Sequence, residues 1–147
     1  MVLDRPDLGI LLHRLTSTIV QQELPLLRAH DIEMWDYAVL GALEHDSAST
    51  QTQLATTVGR DKTRLITILD RLEASGLLQR RPDRNDRRNR IVTLTDAGGT
   101  LLAECRRDIR AMEVGLLSAL SATDRTVFIR ALSVLAESPR KNTLVRQ

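Results

Sequence analysis

The sequence predicts a mainly α-helical fold with one small β-hairpin. Of its 147 residues 42% are hydrophobic but only 2% are aromatic, so the core has to be built from aliphatic side chains, as is typical of helical proteins. Apolar residues recur at three- and four-residue steps over most of the chain, and alternation at two-residue steps is confined to the region between Leu77 and Thr95. This length suits one compact domain or one subunit of a small oligomer.

Three helices are predicted before residue 60. The first begins near Leu8, and Pro25 is expected to kink it or end it near Glu23–Leu24. The second runs from about Glu33 to Glu44. A polar break follows, and then a short helix for which Ser49 or Thr50 is expected to be the N-cap.

The next helix, from Lys62 to Ser75, has a clear division of faces. Gly59 is predicted to turn the chain, Asp61 to cap this helix and Gly76 to end it. Its apolar stripe has the spacing i, i+3, i+4, i+7 and consists of Leu65, Ile68, Leu69 and Leu72. Two helices joined by a short turn containing glycine form the helix-turn-helix pattern, in which the second helix enters the major groove of DNA.

An arginine-rich segment follows between the two strand-like stretches. Arg80–Arg90 reads RRPDRNDRRNR, in which six of eleven residues are arginine. Its position predicts the tip of a β-hairpin, and a helix-turn-helix followed by such a hairpin is a winged helix. The guanidinium group suits phosphates and narrow minor grooves. Ten Lys/Arg against five Asp/Glu between Arg60 and Arg90 therefore predict contact with a polyanion.

The C-terminal third predicts two more helices. Thr95 is expected to cap a long helix through about Ala119, and Ser121–Asp124 to cap a last helix that ends before Pro139. The long helix has a narrow apolar seam made of Leu102, Cys105, Ile109, Met112 and Leu116. Because this seam and the apolar face of the first helix need a partner, the sequence predicts a stable dimer that a charge at Ile109 should weaken.

Several other classes of function find no support in the sequence. Gly-rich phosphate loops, paired carboxylates and nucleophile–base motifs are missing, so neither an enzyme nor a cofactor is expected. The three histidines are too dispersed to propose a metal site. Cys105 is interpreted as a small buried residue rather than a redox sensor. No apolar run approaches the roughly 20 residues of a membrane span, and the N-terminus does not follow the order of a secretory signal, so a cytoplasmic protein is expected.

Three pieces of the middle third occur in a distinctive order. They are LDRLE-x-x-G-L from Leu69, D-R-R at Asp86–Arg88, and V-x-L-T-x-x-G at Val92–Gly98. Together they resemble the signature region of the multiple-antibiotic-resistance regulator (MarR) family. The resemblance implies a homodimeric winged helix-turn-helix transcription factor, often a repressor released by a small ligand or by oxidation. Its partner would be double-stranded DNA with a pseudo-palindromic operator.

The resemblance also implies a domain plan. A single domain would span residues 1–147, with a DNA-binding lobe over about 33–98, dimerisation helices over about 6–30 and 96–138, and a flexible tail over 139–147. Two alternatives stay open: an architectural or constitutive DNA-binding protein without an effector, and a winged helix that contacts only protein.

Three groups of site residues follow from the resemblance. The recognition-helix group comprises Arg60, Lys62, Thr63, Arg64, Thr67 and Arg71, and at Arg60 the family usually has an apolar residue. The wing group comprises Arg84, Asp86, Arg87, Arg88 and Arg90, with the Asp86 carboxylate orienting the Arg88 side chain for the minor groove. A pocket for a small aromatic or phenolic effector would be lined by His13, Arg14, Trp35 and Tyr37.

Overall fold

The computed structural model describes residues 4–46 and 49–138. These fall into two units, one up to Met112 and one from Glu113 onward. The regular elements are α1 (Leu8–Arg28), α2 (Met34–His45), β1 (Ser49–Thr50), α3 (Gln51–Val58), α4 (Lys62–Ala74), β2 (Leu78–Pro82), β3 (Arg90–Leu94), α5 (Asp96–Leu116) and α6 (Ala122–Glu137), with a short 3-10 helix at Leu117–Ala119. The predicted mainly helical fold with a wing is confirmed.

The three strands form an antiparallel sheet in the order β1-β3-β2. Strands β2 and β3 pair from Leu78 opposite Leu94 to Pro82 opposite Arg90, which confirms the predicted hairpin. Strand β1 pairs Ser49 with Val92 and was not predicted. Two residues are too few to show a two-residue alternation.

Local capping fixes the geometry of the helix-turn-helix. The Thr50 hydroxyl accepts the Gln53 backbone N–H, and the Gln53 side chain in return accepts the Thr50 N–H. Gly59 ends α3 with a φ of 70°, a conformation that costs glycine little. Asp61 then caps α4 by accepting the Arg64 backbone N–H. All three predicted signals are therefore confirmed, and the turn between α3 and α4 is short and defined.

The core of the first unit has two parts. The larger contains buried aliphatic residues of α2, α3, α4, the sheet and the start of α5, among them Leu40, Leu54, Leu69, Val92 and Leu102. The smaller contains Leu27, Ile32, Cys105 and Ile109. The larger part holds the recognition helix in place, and the smaller part packs the end of α1 against α5.

Helix α1 does not end at Pro25, so of the two expected effects of this proline, a kink or an end, the end is wrong. It continues to Arg28, and the Ala29 N–H donates to the Pro25 carbonyl at 3.1 Å. Proline removes one helical hydrogen bond, but Leu27 lies two residues later and is completely buried. Burying a leucine contributes about 2 kcal/mol, which explains why the helix continues.

The first three residues of the predicted seam of α5 pack inside their own chain. Leu102, Cys105 and Ile109 are at most 4% exposed, and Ile109 belongs to the same cluster as Leu27 and Ile32. The prediction that Ile109 needs a second subunit was therefore wrong. Apolar residues at three- and four-residue steps indicate that a helix packs against something, but do not tell whether the other surface belongs to the same chain.

The C-terminal third agrees with the sequence predictions in part. Helix α5 ends at Leu116 rather than near Ala119. In the second unit the Ser121 hydroxyl accepts the Asp124 N–H, as predicted for the cap of α6. The predicted tail at 139–147 lies outside the described residues. Among the helices within 4–46 and 49–138, none has the length and hydropathy to cross a membrane.

Candidate nucleic-acid interface

The N-terminal half of α4 presents a polar outer face. Its inward residues Leu65 and Ile68 are buried, whereas the other face is exposed and consists of Lys62, Thr63, Arg64 and Thr67. Asp61 holds the Arg64 guanidinium, with 3.4 Å between Nε and Oδ2. This contact is between two exposed groups and is weak, so a phosphate or a base edge can replace it. The predicted division of faces is confirmed.

Arg71, the last residue predicted for this group, is instead paired with a buried carboxylate. Its Nη2 donates to Oδ1 of Asp36, whose side chain is 3% exposed, and this hydrogen bond raises the pKa of Arg71. The other carboxylate oxygen of Asp36 accepts the Glu33 backbone N–H at 2.8 Å. Arg71 therefore ties α4 to the start of α2. No sequence signal connects two positions so far apart in the chain.

Arg60 stacks on the indole ring of Trp35. Its guanidinium carbon is 4.1 Å from the ring centroid, well within the range of a cation–π interaction. Its Nε is buried without a hydrogen-bond partner. Arg60 stands immediately before the cap of α4, at the turn of the helix-turn-helix.

The base of the wing is held by Arg80 of β2. Its Nη2 lies 2.5 Å from Oδ1 of Asp70 and 3.0 Å from Oε1 of Glu73, and its backbone N–H donates to Oε2 of Glu73 at 2.9 Å. The side chain is only 11% exposed. The hydrogen bond from Arg80 lowers the pKa of Glu73. Arg80 therefore fixes the base of the wing to α4.

The tip of the wing is shaped by side chain–backbone hydrogen bonds. Asp83 accepts the Asn85 N–H at 2.9 Å, and Asp86 accepts the Arg88 N–H at 3.0 Å. Within the described residues the expected ion pair between the Asp86 carboxylate and the Arg88 guanidinium is not formed, and Oδ1 of Asp86 accepts the Arg88 backbone N–H instead. The exposed basic side chains around the tip are Arg84, Arg87 and Arg88. Arg90, which is also exposed, begins β3.

Two contacts at the wing were not foreseen. The Thr52 hydroxyl of α3 donates to the Asn89 side chain at 3.3 Å, which links the wing to the helix-turn-helix. At the other end, the Thr95 hydroxyl donates to the Gly76 carbonyl at 2.7 Å. The same hydroxyl accepts the Gly98 N–H at 3.1 Å, which confirms the predicted cap of α5.

Gly98 itself packs against backbone. A Cβ at this position would lie 2.0 Å from the Leu77 carbonyl oxygen. The glycine of the V-x-L-T-x-x-G piece is therefore required by close approach of α5 to the turn between α4 and β2.

The residues predicted for an effector pocket lie in separate environments. His13 and Arg14 are exposed on α1, and Trp35 lies under Arg60. Burial raises the pKa of Tyr37, whose side chain is hydrogen-bonded to Arg106. In the described part of the chain no hydrogen bond, ion pair or ring contact joins these four side chains, and the pocket stays a prediction.

Cys105 is 1% exposed, as predicted for a buried small residue. Burial raises the pKa of its thiol, and Asp108 and Glu104 act in the same direction. The reactive thiolate is therefore disfavoured. Within residues 4–46 and 49–138, no three His, Cys, Asp or Glu side chains are grouped so that they could hold a metal ion.

Comparison with known proteins adds to this geometry. Residues 30–89 match the model of the MarR family. The chain is 32% identical over 105 residues to the HTH-type transcriptional repressor NicR of Pseudomonas putida, an alignment that covers 69% of this chain and 65% of that protein. Its structure is similar to the transcriptional repressor CouR bound to a 23-mer DNA duplex, with a TM-score of 0.78, 28% identity and coverage of 88% of this chain and 92% of that one.

A second DNA complex is similar as well. A mutant MarR from E. coli complexed with operator DNA has a TM-score of 0.74 and 25% identity, and the match covers 87% of this chain and 92% of that one.

Proposed function

The chain belongs to the MarR family, and from this premise we propose that it is a sequence-specific transcriptional repressor, a homodimer that binds a pseudo-palindromic DNA operator. It acts in the cytoplasm without catalysing a reaction. A small aromatic or phenolic ligand relieves repression.

One observation carries the proposal: the wing tip exposes arginines that have no carboxylate partner. Arg84, Arg87 and Arg88 form no ion pair within the described residues, while the nearby Asp83 and Asp86 are engaged by backbone N–H groups. The backbone of the tip is fixed, so ordering the loop on a ligand costs little. Unpaired guanidinium groups on a fixed loop are suited to phosphate and minor-groove contact.

Two exposed apolar surfaces support a homodimer. In the first unit, α1 exposes Leu8, Ile10, Leu11 and Leu12 to at least 40% each. In the second unit, α6 has no buried residue, and its most exposed apolar side chains, Val134 and Leu135, are 60% and 69% accessible. Contiguous apolar surface of this kind marks a protein interface.

Selection of bound fragments from random DNA by the purified full chain tests the proposal. Because a two-fold dimer presents two recognition helices, the selected sequence should be a pseudo-palindrome with half-sites about 10 base pairs apart. A triple variant with Arg84, Arg87 and Arg88 replaced by Gln should select no motif. Arg28→Gln, which removes an exposed arginine of α1, is the matched control and should select the wild-type motif.

Two results would contradict the proposal. Failure of the wild-type chain to enrich any sequence would exclude specific DNA binding, and enrichment of one isolated half-site would exclude the dimeric geometry. With the operator known, small aromatic acids can be screened for release of bound DNA. A complex that none of them dissociates would favour the constitutive DNA-binding alternative.

A further inference from the structure

Arg60, at the turn of the helix-turn-helix, is unusual because its guanidinium group is partly buried but forms no ion pair with a described residue. The described residues include no carboxylate within ion-pair distance of its guanidinium group, and Nε is buried without an acceptor. The neighbouring carboxylate, Asp61, caps α4 and contacts Arg64 instead. What Arg60 does have is the ring of Trp35, 4.1 Å from its guanidinium carbon.

The position of the Trp35 side chain is set by packing against the core. Its ring packs against the larger core cluster, which includes Val39, Leu40 and Leu69. The ring therefore offers a fixed surface, and stacking on it restricts the many rotamers of an arginine side chain. A cation–π contact of this kind is attractive at exposed sites and becomes stronger where water is excluded.

The guanidinium group is thus oriented but not neutralised, at the turn that begins the recognition helix. We propose that Trp35 is a positioning residue for DNA binding, which holds the guanidinium group of Arg60 so that it binds a backbone phosphate of the operator. The proposal rests on the proposed function, and assigns Trp35 to the DNA-binding lobe instead of the effector pocket. A phosphate is the expected ligand because the planar fork of arginine matches its oxygens.

The competing explanation is that Trp35 only fills the core. Both explanations expect Trp35→Leu to reduce stability, so stability does not separate them. They differ in what happens when Arg60 is absent. A positioning role requires that the effect of Trp35 on DNA affinity pass through Arg60, whereas a core role makes the two effects independent.

A double-mutant cycle on operator affinity measures this coupling. Arg60→Gln should weaken binding about tenfold and reduce the slope of log affinity against log salt concentration by about one, as expected for one lost phosphate contact. Trp35→Leu should weaken binding about fivefold in the wild-type background, and less than about twofold in the Arg60→Gln background. Trp35→Phe keeps an aromatic face and should retain most of the wild-type affinity.

Intrinsic fluorescence gives a second readout, since Trp35 is the only tryptophan in the chain. Arg60→Gln should shift the emission of the DNA-free protein. Operator binding should change the emission of the wild type more than that of Arg60→Gln. If Trp35→Leu fails to fold, the fluorescence of Arg60→Gln decides the question, because an operator-induced change in emission as large as that of the wild type would overturn the positioning role.

The possible failures are distinguishable. Operator binding with equal losses from Trp35→Leu in both backgrounds would overturn the positioning role and leave the proposed function intact. An unchanged salt slope in Arg60→Gln would overturn the phosphate contact. A wild-type protein that binds no DNA at all would overturn both this inference and the proposed function.

Discussion

Arg80 and Arg88 belong to the same hairpin, yet their surroundings are opposite. Arg80 is 11% exposed and contacts Asp70 and Glu73 of α4. Arg88 is exposed, and its bond to Asp86 uses the backbone N–H rather than the guanidinium group. The base of the wing is therefore fixed by interior contacts, while the tip leaves its charges free. The arginine-rich segment has two parts, one structural and one available for binding.

The largest effect on stability is expected from Gly98→Ala, in the first turn of α5 next to the base of the wing. The added methyl group would lie 2.0 Å from the Leu77 carbonyl oxygen, and backbone cannot move away as a flexible side chain does. We expect a loss of about 3 kcal/mol in the free energy of unfolding, as for overpacked cores, measured by chemical denaturation.

Gly99→Ala is the matched control for Gly98→Ala. Its Cβ would meet only a Leu94 methyl carbon at an ordinary distance of 3.8 Å. Because alanine favours helix more than glycine does, the control should be neutral or up to about 1 kcal/mol more stable. Equal stability of the two variants would show that the close approach of α5 does not constrain the base.

The next effect is expected from Arg80→Ala. Losing charge-assisted hydrogen bonds to Glu73 and Asp70 should cost about 2 kcal/mol of unfolding free energy. Arg81→Ala, the exposed neighbour in the same strand, should stay within about 0.5 kcal/mol of the wild type. If the two variants were equally stable, Arg80 would not fix the base of the wing to α4.

The same pair gives a pH test of the base. Arg80 lowers the pKa of Glu73 in the folded protein. The stability from this pair is therefore present above the unfolded pKa of the carboxyl group and is lost as the pH falls through the lowered folded pKa. In Arg80→Ala the free energy of unfolding should therefore fall less steeply than in the wild type as the pH is lowered. Denaturation curves at several pH values measure this difference.

At the tip, Arg88→Ala should change binding without changing stability. The exposed side chain supports no described contact of the fold, so the midpoint of unfolding should match the wild type. Operator affinity should fall by about 1 kcal/mol and the salt dependence should weaken, as measured by titration at several salt concentrations. A variant that unfolds more easily would show that the tip has a structural role.

The smallest effect is expected from Asp86, where two influences oppose each other. Deleting an acid near DNA strengthens binding electrostatically, but the carboxylate also holds the Arg88 backbone N–H. We expect Asp86→Ala to weaken operator binding by roughly 0.5 kcal/mol, because the turn loosens.

Asp86→Asn separates the two influences, since its side-chain oxygen can still accept the N–H while the charge is removed. This variant should bind the operator more tightly than the wild type. Tighter binding by Asp86→Ala as well would mean that the acid acts only by repulsion.

These contrasts show where sequence reasoning succeeds in this protein. Signals that act over a few residues were predictable: the Thr50 and Asp61 caps, the positive φ of Gly59 and the hairpin. Contacts between distant residues were not. Nothing in the local pattern shows that Arg71 faces a buried Asp36, or that Ile109 packs within its own chain.

The contact of Gly98 with the carbonyl of Leu77 also bears on how motion travels through the lobe. With no side chain between them, the first turn of α5 rests directly on backbone that joins the recognition helix to the wing, and Thr95 bonds the adjoining Gly76 carbonyl. This backbone contact contains no flexible side chain that could absorb a displacement of α5. A shift of α5 at its first turn therefore displaces the end of α4 and the base of the wing together.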